Sequence, residues 1–116
     1  MKGGTAVDEV ERRFDRAMIG IYETAKRELG YNATRFLQMV SDRGGLATAR
    51  QLLWSDIPSD GFTTLWEHRR LDLTVEDHVL RAEFASLFSG ADREQALMRL
   101  KDYGWRPRVG TEYEIG

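Results

Sequence analysis

The residues best suited to chemistry in this chain are its two histidines, and each directly follows a carboxylate: Glu67-His68 and Asp77-His78. Imidazole beside carboxylate is raw material for general acid–base catalysis and for metal ligation. Either use needs further groups converging on the same point. The sequence contains no HExxH helix, no GxSxG elbow, and neither a GxxxxGK[ST] nor a GxGxxG phosphate turn. It contains no cysteine, which removes thiol nucleophiles, thiolate-held zinc, iron–sulfur clusters and disulfides. Both histidines are therefore expected to be ordinary surface or helix-capping side chains. No catalytic, cofactor-binding or metal-binding residue is assigned, and an enzyme built around His68 or His78 ranks third among the functional readings.

Two other groups of residues are suited to recognising a partner rather than transforming one. Trp54, Ile57, Phe62 and Trp66 bracket the proline- and glycine-bearing stretch 55–61. Large aromatics beside a loop are typical anchors of protein interfaces. The competing role is core filling, since one aromatic ring buries roughly 150–250 Å². Phe62 and Trp66 suit the core better, whereas Trp54, followed at once by the loop, suits exposure. Arg43, Arg50, Arg69 and Arg70, with Arg35, give the same region a positive bias. The order helix, Gly44-Gly45 turn, helix is faintly like the helix-turn-helix of bacterial winged repressors. Its candidate recognition helix opens Phe62-Thr63-Thr64-Leu65-Trp66, which offers few groups for base edges. Docking to another protein, or to a second copy of the chain, is thus the first expectation and DNA binding the second.

These side chains must be positioned by helices. Val7, Val10, Phe14, Ala17, Met18, Ile21, Ala25 and Leu29 recur at spacings of three and four, predicting a helix over 6–29. Thr5 with Asp8 resembles a capping box, and Gly30 supplies a stop. Asn32 is placed to cap a second helix ending at Arg43. Gly44-Gly45 breaks it, and Leu46, Ala49, Leu52 and Leu53 mark a third. A fourth runs from Phe62 to near Arg70. Thr74 and Asp77 form another capping-type pair ahead of a fifth helix with Val75, Val79, Leu80, Phe84, Leu87 and Phe88 on its buried face. Ser89-Gly90 interrupts, and a sixth helix through Leu97, Leu100 and Tyr103 stops at Gly104. No paired strands are expected.

The reading is an all-α, single-domain bundle of about six helices: an extension over 1–5, a helical domain over 6–104 and an irregular tail over 105–116. The tail either docks as a strap through Tyr113 and Ile115 or frays. Bulk composition agrees, with 116 residues, 41% hydrophobic and 31% charged, which suits one globular core and not a disordered chain. A formal charge of −2 argues against a generic nucleic-acid coat. No apolar run approaches the ~18 residues of a membrane span, and the start Met1-Lys2-Gly3-Gly4 lacks a secretory signal's apolar stretch, so a cytoplasmic protein is expected.

Longer runs carry a resemblance. Tyr31-Asn32-Ala33-Thr34-Arg35-Phe36-Leu37-Gln38-Met39-Val40, then Gly44-Gly45 and Leu52-Leu53, are followed by Gly61-Phe62-Thr63-Thr64-Leu65-Trp66-Glu67 and Arg70-Leu71-Asp72-Leu73-Thr74-Val75-Glu76. Together they resemble an uncharacterised group of small helical bacterial proteins, over roughly residues 9–104. The resemblance implies a single module and carries no activity, cofactor or site residue with it.

Overall fold

The apolar stripe of the first helix finds the bundle's core. In the computed structural model, which describes residues 6–105, α1 runs Ala6–Leu29. Phe14, Met18, Ile21 and Ala25 are buried along it, four residues on one face of a 3.6-residue period. Gly30 ends the helix at φ +67, a left-handed conformation open to glycine. Its N–H donates to the Lys26 carbonyl at 3.2 Å.

Next come α2, Thr34–Arg43, and α3, Gly45–Leu53. The expected Asn32 cap is not formed. Ala33 occupies the cap position without a side-chain bond, because the Asn32 Oδ1 is taken by the Tyr22 hydroxyl at 2.7 Å. The α2–α3 turn is pinned to α1: Gly45 N–H donates to Asp15 Oδ1 at 2.8 Å. A Cβ at Gly45 would stand 2.7 Å from that same oxygen, so only glycine allows the approach.

Helix α4 spans Asp60–Glu67, begun by Ser59, whose hydroxyl accepts the Phe62 N–H. It therefore starts earlier than Phe62 and stops short of Arg70, where Arg69 turns the chain at φ +59. A 3-10 turn, Leu71–Leu73, leads into α5, Val75–Val79, capped by the Thr74 hydroxyl on the Asp77 N–H. The single fifth helix expected over this region is in fact broken. Arg81 is extended (φ −69, ψ 138), and a 3-10 segment follows over Ala82–Leu87. The break lets Phe84 and Phe88 turn back edge-on against Phe14, at centroid distances of 5.0 and 5.2 Å.

The last helix described is α6, Gly90–Asp102, opened by a reciprocal capping box between Ser89 and Asp92. Gly104 turns the chain at φ +86, and Trp105, grouped by sequence with the tail, is buried in the main hydrophobic cluster. The result is an all-α bundle of six α-helices and two 3-10 segments, with no strand among the described residues. No described helix is long and apolar enough to cross a membrane. Thr5 of the expected capping pair and the strap through Tyr113 and Ile115 lie outside the described residues.

Every residue from Leu73 to Leu80 is buried. A helix with one wet face cannot do this. α5 is a short central rod enclosed by the longer helices, and it carries Glu76, Asp77 and His78 into the interior.

Candidate functional site

The segment between α3 and α4 is held by one face of α6. Asp92, Gln95, Arg99 and Tyr103 recur at helical spacing, so their side chains project together. Asp92 Oδ1 accepts the Trp54 indole N–H at 2.8 Å, and Gln95 donates to the Leu53 carbonyl at 3.2 Å. Arg99 donates to the carbonyls of Leu52 (3.0 Å) in the last turn of α3 and Ser55 (2.6 Å) just beyond it. Tyr103 meets the rings of Phe62 and Trp66 edge-on at 5.0 and 5.2 Å.

On this support the residues singled out by sequence separate. Ile57 is 74% exposed, Trp54 51% and Trp66 42%. Phe62 is not part of that surface: it is buried in the main cluster, because the Ser59 cap directs α4 inward with Phe62 and Leu65 on its core side. The three exposed apolar side chains lie on backbone fixed by α6 and α4.

The four arginines share no common partner among the described residues. Arg43 bonds to Gln51. Arg50 donates to the Leu87 carbonyl at 3.0 Å and sits 3.7 Å from Asp92. Burial by itself would raise the Asp92 pKa, but the Trp54 and Ser89 hydrogen bonds, aided by the charge of Arg50, hold it below its ordinary value. Arg70 pairs with Asp72 at 3.0 Å and Glu28 at 2.6 Å, and hydrogen bonds to these carboxylates raise its pKa. Arg69 is exposed.

The histidines go to opposite environments. His68, at the C-terminal cap of α4, is exposed, and its Nδ1 donates to the Thr64 carbonyl at 3.0 Å. His78 is buried, and its Nδ1 donates to the Thr74 carbonyl at 2.8 Å. A carbonyl only accepts, so Nδ1 carries the proton in each neutral ring. Loss of hydration, with the nearby charge of Arg81, lowers the His78 pKa to about 4. No group of three or more metal-ligating side chains occurs among the described residues.

Around His78 lies a polar core that spacing arguments did not reveal. Asp77 pairs with Arg81 at 3.0 Å and accepts the Trp105 indole N–H at 2.8 Å. Glu76 faces Arg99 at 3.3 Å, with both side chains buried. Beside Glu76 opens a cleft of about 500 Å³, bounded by the end of α1, the start of α2, the loop before α4, and Thr74-Val75-Glu76. The one sequence signal was the run Glu76-Asp77-His78 set between apolar residues. No protein-family model, curated protein or solved structure matches the chain.

Proposed function

We propose that this protein is an interaction module that docks another protein chain through the surface of Trp54, Ile57 and Trp66. The observation that supports it is the exposure of three large apolar side chains on a segment held in place by Asp92, Gln95, Arg99 and Tyr103. Apolar groups on the surface of a monomer usually lie scattered and have no consequence. Here they accompany a backbone ordered before any partner arrives, which removes much of the entropic cost of association. Trp is also among the residues that most often dominate binding energy. DNA binding is the weaker reading, since Arg50 and Arg70 are already engaged with carboxylates.

The test places a photo-crosslinking amino acid at Ile57 in the source cell and identifies the adduct by mass spectrometry. Ile57→Ser makes no hydrogen-bond change and should alter stability by no more than ~0.5 kcal/mol. Trp54→Ala also removes the bond to Asp92 and should cost about 1 kcal/mol. Both should weaken association with the crosslinked protein by ~2 kcal/mol, about thirtyfold. An adduct with the chain itself, accompanied by a dimer in sedimentation, would assign the surface to self-association. No specific adduct, or unchanged affinity in both variants, would overturn the reading.

A further inference from the structure

The cleft beside α5 has the dimensions of a small-molecule site: about 500 Å³, against ~300–1,000 Å³ for typical ligand pockets. Its walls are largely apolar, with Ile21 and Ala25 from α1, Phe36 and Met39 from α2, and Phe62 and Leu65 from α4. Polar groups stand at its α5 end, and their hydrogen-bonding capacity is unevenly used. The Thr74 hydroxyl is already engaged, donating its one proton to the Leu71 carbonyl and accepting the Asp77 N–H. Glu76 is only 4% exposed. Its Oε2 accepts from Arg99 at 3.3 Å, while no other described residue donates to Oε1.

Arg99 is also a shared resource. Its guanidinium serves Glu76 and the Leu52 and Ser55 carbonyls together. Burial pushes the Glu76 carboxyl above its ordinary pKa, its own backbone N–H and Arg99 offsetting this only in part, as expected of an anion whose compensation is incomplete. A buried carboxylate whose one donor from another described residue is Arg99, at the end of an apolar cleft, suits a cation with a hydrocarbon body. The remaining charged lining residues, Arg35 and Asp60, are both exposed and oppose each other in sign.

We propose that the cleft binds a small apolar molecule bearing a protonated amine, the ammonium donating to Glu76 Oε1 and the body lying between Phe36, Met39 and Leu65. This site goes beyond the docking surface, with which it shares Ile57.

The test uses three probes of one shape, 4-phenylbutylamine, 4-phenylbutanol and 4-phenylbutyrate, titrated into the full chain and followed by amide NMR shifts and thermal melting. The amine should give saturable shifts at cleft residues and raise the melting temperature. The alcohol should bind about tenfold more weakly, a difference of ~1.4 kcal/mol, and the carboxylate should not bind. Glu76→Gln should remove the preference for amine over alcohol. Gly61→Leu is the control that leaves the ion pair intact. A Cβ at Gly61 would stand 3.5 Å from the Tyr31 hydroxyl, both residues line the cleft, and leucine favours a helix more than glycine does. This variant should fold and lose the amine. Equal binding of amine and alcohol, preference for the carboxylate, no saturable shift with the amine, or undiminished binding in Gly61→Leu would each overturn the proposal.

Discussion

The chain writes one short phrase twice and gives it two fates. Thr64-Leu65-Trp66-Glu67-His68 closes α4, and Thr74-Val75-Glu76-Asp77-His78 makes up the cap and body of α5. In each, histidine Nδ1 donates to the threonine carbonyl four residues back. The local hydrogen bond is the same, yet His68 is exposed and His78 is buried. The difference lies in the residues on the C-terminal side of each ring. After His68 the chain turns through the left-handed Arg69 into solvent, whereas after His78 it continues into Val79 and Leu80, both buried. An identical local motif sets the tautomer of each ring, and at His78 the packing around the ring also lowers its pKa.

The comparison is broken most severely by removing the cation that serves the buried copy. Arg99→Met would strand Glu76 and take a donor from the Leu52 and Ser55 carbonyls, and loss of one partner of a buried pair costs about 3–5 kcal/mol. Urea denaturation should show that loss, and a variant as stable as wild type would mean that the interior is not organised around this ion pair.

Acid sharpens the contrast. The folded pKa of His78 is lowered to about 4 from the ordinary 6.5. Between those values the unfolded chain binds the proton and the folded one does not. The His78 contribution is therefore complete above pH 6.5 and declines as pH falls toward 4, by about 3 kcal/mol in all. Glu76, whose pKa is raised, acts in the opposite sense and is common to both proteins compared. His78→Gln should flatten the slope of unfolding free energy against pH across this window, and identical slopes in the two proteins would refute the assignment.

Smaller effects come from the threonines and from the exposed ring. The Thr74 hydroxyl caps α5, so Thr74→Ala should cost about 1 kcal/mol, read as a lower melting temperature at pH 7. His68→Ala should stay within ~0.5 kcal/mol. If it instead destabilised as much as Thr74→Ala, the two copies would not differ in the way the structure implies.

How much of this was legible in the sequence depends on the kind of order involved. α1 was readable because Phe14, Met18, Ile21 and Ala25 repeat at the period of a helix that has one wet face. α5 was not, because a segment buried on all sides has no such period, and its run of charged residues reads as surface. The break at Arg81 was hidden for a related reason: Val79, Leu80, Phe84 and Leu87 also fit one continuous helix. Spacing could place Trp54 at the edge of a loop. It could not find Arg99 or Gln95, since their acceptors on α3 are backbone carbonyls, which every residue type possesses. Trp66 shows the converse error: it suited the core as well as Phe62 did, yet the Ser59 cap turns Phe62 inward and leaves Trp66 42% exposed.

The bonds from Arg99 have a consequence for synthesis. Ser55 and Arg99 are 44 residues apart, which at ~5–20 residues per second separates their translation by about 2–9 s. During that interval the Trp54–Trp66 segment has emerged without the helix that orders it. A chain halted before α6 would carry the same aromatic residues but could not hold them in shape. The proposed docking surface would thus be a late product of translation, and a partner that reads its geometry would discriminate finished molecules from unfinished ones.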